Sequence, residues 1–321
     1  MLEKIFDQFV SALESDDIDL LDEILDDHVI LDSSALGIVE GKENVKDAFA
    51  WKGLERTYNK TRIFNNVLRE KDNIAYQTFF SVLFMGKDEN DFLNIFQCCF
   101  MNALQYKNQK IISIKSQMTF ECGNTLLVSS WWKLIDYALI GGCNREIING
   151  FKDNPWLNVP EADNITSDEE AITQCFKRYC FDIDFFAYED LRNNSTARCD
   201  FPKPIGKEDL ENWIASLKNK RNRTVTFNGV DYPREAVWNH ICSFRKLEVE
   251  ATKAHAEIYR FEPNRIGTRF QHKYNVDTLY YGMYWVMDFI KDEEGNWRMD
   301  IMNFVSGGPY QVDVADEQRY F

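Results

Sequence analysis

Residues 5–24 read IFDQFVSALESDDIDLLDEI, and residues 172–191, lying 167 positions later, read ITQCFKRYCFDIDFFAYEDL. In and just before the first stretch apolar side chains recur at Leu2, Ile5, Phe6, Phe9, Val10 and Leu13. In the second they recur at Ile172, Cys175, Phe176, Tyr179, Cys180 and Ile183. Spacings of three and four residues place each set on one face of a helix. The chain therefore opens twice in the same way, and the fold question becomes whether the rest repeats as well.

Moving outward from that pair, the agreement continues in order. HVILD ending at Asp32 matches TARCD ending at Asp200, and GKENVKDAF from Gly41 matches GKEDLENWI from Gly206. NIAYQTFFSVLF resembles KAHAEIYRFE, and IISIKSQMTFECG resembles RMDIMNFVSGG. The offset grows from 165 to about 180 along these anchors, which predicts an insertion in the second copy around residues 218–234. Each copy reads as three helices followed by long strands. In the second copy the strands are HICSFRKLEVEA, AHAEIYRFE, TLYYGMYWVMDFIK and WRMDIMNFV, with a hairpin turn at Asp292–Asn296. Ser167 followed by Glu170 forms a capping box at the second opening helix. These marks divide the chain into a first domain (1–122), a helical segment and linker (123–166), a second domain (167–310) and a tail (311–321).

Composition narrows the class. A 321-residue chain that is 45% hydrophobic has enough apolar residues for two cores. A net charge of −15 disfavours nucleic acid and anionic membrane as partners. The opening residues lack the apolar run of a secretory signal, and no stretch is long enough to span a bilayer. The eight cysteines form no C-x-x-C pair and several sit in apolar patterns, so a reducing cytoplasm and buried free thiols are expected. Four histidines (His28, His240, His255, His272) without H-x-H or H-x-x-x-H spacing predict no metal site.

The order of helix, helix, strand Asp, GKE helix, long strands and a closing EEGNWRMDIMNF hairpin resembles the nuclear transport factor 2-like (SnoaL-like) superfamily, here in tandem. The resemblance implies an α+β fold of two cone-shaped domains. Each would be a curved antiparallel sheet on about three helices, paired with the other as an internal pseudo-dimer around apolar pockets. In the second copy, Tyr179, Asp184 and Leu191 resemble the opening of the scytalone dehydratase and bile-acid 7α-dehydratase branch. His240, in WNHICSFRKLEVE, falls where that branch places its catalytic histidine. The resemblance implies that Tyr179 binds a substrate oxygen, that His240 moves protons and that Asp184 orients His240. A second histidine of that branch is missing. Glu262 or Asn264 stands in that region instead, and Tyr284 joins them as a ligand-binding expectation.

This chemistry needs no cofactor. A histidine titrates near neutral pH, a carboxylate can fix its tautomer, and a phenol can donate to a developing oxyanion. The first copy has Ala12 against Tyr179, Asp17 against Asp184 and a position near Lys60 against His240, so its site is expected to be degenerate. Plainer readings stand beside these. Asp184 is an N-cap of the next helix, His240 a strand histidine with one backbone bond, and Tyr179 a core residue. Asp32 and Asp200 are turn residues rather than pocket acids, and the basic run 218–223 is a solvated face or a loop in the insertion. The sequence thus supports a lyase or isomerase acting on a hydrophobic oxygenated small molecule, with a cyclase-like activity as a variant. The alternative is a non-catalytic module that binds an apolar ligand or a protein.

Overall fold

The computed structural model describes residues 1–50, 58–86, 95–124, 127–128, 147–203, 206–208, 210–221, 224–227, 230–233, 240–261 and 279–312. The chain divides into two compact units, the first built from Met1–Asn164 and the second from Ile165–Ile266 with Thr278–Phe321. Both units are α+β, each with one six-stranded sheet and few helices.

The first unit begins with helix α1 (Leu2–Ser15), which buries Leu2, Phe6, Phe9 and Ala12. It ends at Asp16 in a left-handed conformation (φ 59°), and a short 3-10 turn (Ile18–Leu21) follows. Strands β1 (Leu25–Ser33) and β2 (Gly37–Glu40) come next, then helix α2 (Lys42–Phe49). Four long strands complete the sheet: β3 (Tyr58–Lys71), β4 (Ile74–Gly86), β5 (Ile95–Lys107) and β6 (Lys110–Gly123). The order is β2-β1-β6-β5-β4-β3. Neighbours are antiparallel except β1 and β6. Asn108 and Gln109 both have positive φ (49° and 62°), as a tight two-residue hairpin turn with right-handed strand twist requires.

The segment read as a linker is fastened to this unit. Lys115 reaches both carboxylate oxygens of buried Asp153 at 2.8 Å. Asn154 caps helix α3 (Pro155–Asn158), and Arg69 donates to the carbonyls of Val159 and Pro160, each at 2.7 Å. The double-tryptophan stretch lies outside the described residues.

The second unit opens with helix α4 (Asp168–Asp184). Ser167 caps it by accepting the Glu170 N–H, as the capping pattern predicts. All six residues of the predicted stripe, Ile172 to Ile183, are buried. Then come α5 (Leu191–Asn194), β7 (Ser195–Lys203), β8 (Gly206–Glu208) and α6 (Leu210–Arg221). A hairpin of β9 (Thr224–Phe227) and β10 (Val230–Pro233) follows. The long strands are β11 (Ile241–Glu250), β12 (Lys253–Phe261), β13 (Leu279–Lys291) and β14 (Trp297–Val312). The sheet order is β11-β12-β13-β14-β7-β8, with β14 and β7 parallel. Read from the matching edge, this is the order of the first sheet.

The closing hairpin ties sheet to helix. Asp292 N–H donates to Asn296 O at 2.9 Å and Gly295 takes φ +87°, which a side chain would strain. The turn delivers Trp297, whose Nε1 donates to Asp168 at the start of α4 at 2.9 Å, while Lys291 pairs with the same carboxylate at 2.7 Å. An acid in the first turn also suits the helix dipole.

The strand expected before the GKE helix is a pair, β1–β2, in which HVILDS buries alternate residues. The basic run begins on α6 with Lys218 exposed, a solvated face where cations suit the negative end of the helix. Two expectations change. Asp32 and Asp200 lie within strands β1 and β7 rather than in turns. The first residues of the patternless tail, up to Val312, continue β14. Among the described residues no helix is long and apolar enough to cross a membrane.

Candidate functional site

Helix α4 and strand β11 meet through two rungs. Cys180 and Asp184 are one helical turn apart, a rise of roughly 6 Å. His240 and Cys242 are two residues apart on extended chain, roughly 6.6 Å. The near match lets both pairs form together. Cys180 and Cys242 share a thiol hydrogen bond, and burial pushes the Cys180 thiol well up. One step along, Asp184 meets His240 twice. The His240 backbone N–H donates to Oδ2 at 2.9 Å, and ring Nδ1 is hydrogen-bonded to Oδ1.

This answers why an acid ends a helix whose dipole disfavours it by about 0.3–1 kcal/mol. Asp184 is the last residue of α4 and fully buried, and both its oxygens are directed at His240. It does not cap the next helix, as the plainer reading had it, because α5 begins only at Leu191. Burial pushes the Asp184 carboxyl up, and its contacts with His240 and the charge of Arg260 pull it back. With the carboxylate accepting at Nδ1, the imidazole lone pair sits on Nε2, the tautomer that suits a general base.

The imidazole lies in an aromatic box. Tyr179, 3% exposed, stands edge-on to it with centroids 6.2 Å apart and planes at 72°. Trp285 lies on another side at 6.4 Å and 31°. Phe176 touches both Tyr179 (5.5 Å) and Trp285 (5.1 Å) and so fixes their relation. Arg260, 5% exposed, holds its guanidinium over the Trp285 ring at 5.5 Å. The structure thus brings Tyr179, Asp184 and His240 together. Glu262 and Asn264 lie outside the described residues. Tyr284 is on β13 opposite Tyr259 and Val305, and its side chain is likewise outside them. Asp182, as buried as Asp184, acts instead on Arg178 one turn before it.

Arg260 escaped the sequence reading. Strand alternation carries the signal for Arg260. Ala254, Ala256 and Ile258 join the core, and Arg260 continues their parity. A second His–Asp pair, His255 Nδ1 with Asp288 at 2.7 Å, was also missed because its partners face each other across β12 and β13. Both side chains are about two-fifths exposed, so this pair is a surface contact.

The first unit gives an internal control. In each unit a helix acid holds a strand N–H, Glu14 that of Thr61 and Asp184 that of His240, and on that anchor the pair Ile63–Ser81 corresponds to Cys242–Arg260. Thr61 is next to Lys60, near which the sequence reading had put the counterpart of His240. The acid differs too. Exposed Asp17 lies beyond the end of α1, and Glu14 Oε1 instead accepts the Thr61 N–H at 2.7 Å. A helix acid holding a strand N–H is therefore common to both units, while the acid–imidazole contact belongs to the second.

The first unit holds a partly open cavity of about 70 Å³. Phe9, Leu83 and Phe100 form part of an apolar wall, and Ser81, Asn102 and Ser116 form a hydrogen-bonded row, with both links at 2.9 Å. Thr61, 7% exposed, lines it with an Oγ1 that has no protein partner.

No family model and no curated protein matches the chain. Solved structures resemble part of it. The Kfla4162 protein of Kribbella flavida is 10% identical, covering 40% of this chain and 95% of its own, with a TM-score of 0.35. A type 2 hexachlorocyclohexane dehydrochlorinase, LinA, is 10% identical over 37% of this chain and 84% of its own (TM-score 0.33). A putative dehydratase of the NTF2-like family from Streptomyces avermitilis is 14% identical over 36% of this chain and 92% of its own (TM-score 0.30).

Proposed function

We propose that the second unit is a cofactor-independent acid–base enzyme, a lyase such as a dehydratase or an isomerase, acting on a hydrophobic, oxygenated small molecule. The observation that carries this reading is the buried Asp184–His240 pair inside an aromatic box. His240 Nε2 takes a proton from carbon next to a carbonyl. Tyr179 donates to the oxygen as it becomes an enolate. His240 then returns the proton, to a carbon in isomerisation or to a departing hydroxyl in dehydration. Acid–base help of this kind contributes roughly 10²–10⁴-fold. Substrate contacts from Glu262, Asn264 and Tyr284 complete the reading, and nucleic acid and membrane are not its partners. The chain as a whole is read as two nuclear transport factor 2-like units in tandem, a reading supported by their shared strand order and by the Glu14–Thr61 counterpart.

Both reaction types yield a conjugated enone, so one ultraviolet assay covers them. Aryl β-hydroxyketones and β,γ-unsaturated ketones serve as substrates. Turnover by the wild type with loss in His240→Gln supports the proposal. Equal rates in both would sink it.

A second reading is favoured by the first unit's cavity. Its row of hydroxyls and an amide beside an apolar wall suits a neutral ligand bound without chemistry, because Thr61 stands where the base would be. Binding of a small neutral ketone such as acetone that Thr61→Val weakens supports this reading, and binding unchanged by that substitution opposes it.

A further inference from the structure

We infer that the first unit's cavity takes a hydrogen-bond acceptor, a small aliphatic ketone, aldehyde or ester, with Ser33, Thr61 and Ser81 as its donors. The inference rests on reading the cavity as a ligand site and adds the chemical class of the ligand. Five strands each send one short polar side chain to its lining: Ser33 from β1, Thr61 from β3, Ser81 from β4, Asn102 from β5 and Ser116 from β6. Thr61 Oγ1, in a residue 7% exposed, has no protein partner. What the other four have left to offer decides the ligand.

Asn102 sets the direction of the row. Its Nδ2 faces the backbone carbonyls of Phe100 and Phe79, at 3.3 and 3.5 Å. A carbonyl only accepts, so the amide nitrogen belongs on that side and the amide oxygen on the other. Ser116 then donates to Asn102 Oδ1, and Ser81 Oγ accepts from Asn102 Nδ2, each at 2.9 Å. The Ser81 proton is left for the cavity, and donation along the row polarises that O–H. Ser33 Oγ accepts the N–H groups of Ala35 and Leu36, both at 3.2 Å, so it too offers chiefly its proton. The complement of such a lining is an oxygen with lone pairs and no proton of its own, carried on alkyl groups that suit the apolar wall. A carboxylate also accepts, but no lysine or arginine is among the described lining residues and Asp16 is one of them. Burying an anion without a partner is costly. At about 70 Å³ the cavity is roughly half the size of an apolar cavity that holds benzene, so a molecule like acetone fits.

The test uses the full chain and three probes of one shape, acetone, isobutene and acetate, titrated by methyl NMR with the lining residues Leu83 and Ile114 as reporters. Isobutene replaces the carbonyl oxygen by a methylene, and acetate adds a charge. Acetone should bind the wild type, and Ser81→Ala should weaken it about three- to tenfold while leaving isobutene within about twofold. Acetate should bind at least about tenfold more weakly than acetone. Acetone binding indifferent to Ser81→Ala, or acetate bound as tightly as acetone, overturns the inference. Should Ser81→Ala not fold, the carbonyl carbon resonance of labelled acetone bound to the wild type decides. Hydroxyl donors hold it at or downfield of its position in water, and a shift upfield, toward its position in hydrocarbon, overturns the inference. The two claims separate cleanly. Isobutene bound without acetone, or acetone weakened by Thr61→Val and not by Ser81→Ala, refutes only the acceptor class. Failure of both neutral probes to bind refutes the ligand site itself.

Discussion

Asp184 touches His240 at two points, and only one of them has a counterpart in the first unit. The backbone contact, His240 N–H to Oδ2 at 2.9 Å, is mirrored by Thr61 N–H to Glu14 at 2.7 Å. The ring contact, Nδ1 with Oδ1, is not mirrored. The first is a fastening between helix and sheet, and the second is the feature that suits chemistry. Asp184→Asn keeps an acceptor for the N–H but no longer stabilises the imidazolium. It should fold and lose roughly 10²–10⁴-fold in turnover. Glu14→Gln, the matched control, should leave turnover unchanged. Equal effects of the two on enone formation would show the ring contact to be structural.

Acidity supplies a second prediction. Burial is the largest influence on the Asp184 carboxyl and pushes it above its ordinary 3.8. A carboxyl raised on folding is held protonated to higher pH in the native state than in the unfolded chain. Its contribution to stability is fully present below 3.8 and is lost as pH rises through the raised native value. The unfolding free energy of the wild type minus that of Asp184→Asn should therefore fall with pH across that window. Urea melts of both proteins from acid to neutral pH check this, and a difference that grows with pH contradicts it.

Arg178 and Asp190 form a two-pronged pair at 2.8 and 2.6 Å, with the Asp190 side chain 1% exposed. Removing one partner leaves a poorly solvated charge, so Asp190→Ala should cost about 3–5 kcal/mol in urea unfolding. Enone formation per folded molecule should persist, because neither side chain belongs to the aromatic box.

Trp297 and Asp168 test the closing hairpin. Trp297→Phe keeps the ring and loses the Nε1 hydrogen bond, which should cost about 1 kcal/mol by thermal unfolding. A loss near zero would mean that Lys291 alone satisfies the carboxylate.

In the first unit, Thr61→Val replaces a buried hydroxyl without a protein partner by a methyl group of similar size. Stability should rise by up to about 1 kcal/mol in the ligand-free protein. A comparable loss would reveal that the hydroxyl is already satisfied.

Much of this architecture was legible because its signals are local. The helical stripe from Ile172 to Ile183, the cap at Ser167 and the turn at Asp292–Asn296 each follow from residues a few positions apart. The pairing of Asp184 with His240 was reachable only through family resemblance, since 56 residues separate them. Register was the obscure quantity. Counting along the chain placed the counterpart of His240 only near Lys60, and the Glu14 contact with the Thr61 N–H fixes it at Thr61. The same limit hid Glu14. Helix α1 stops two residues short of the Asp184 position, leaving Asp17 outside it, and an acid one turn earlier reaches the strand.

The central claim is that His240, held by Asp184, moves protons to and from carbon. Its most direct test is solvent exchange at the carbon next to a carbonyl. Hydrophobic aryl ketones are incubated in deuterium oxide with the full chain and followed by proton NMR. Enzyme-catalysed deuterium wash-in by the wild type, reduced roughly 10²–10⁴-fold in both His240→Gln and Asp184→Asn, is the predicted result. Wash-in that persists at the wild-type rate in folded His240→Gln would contradict the account.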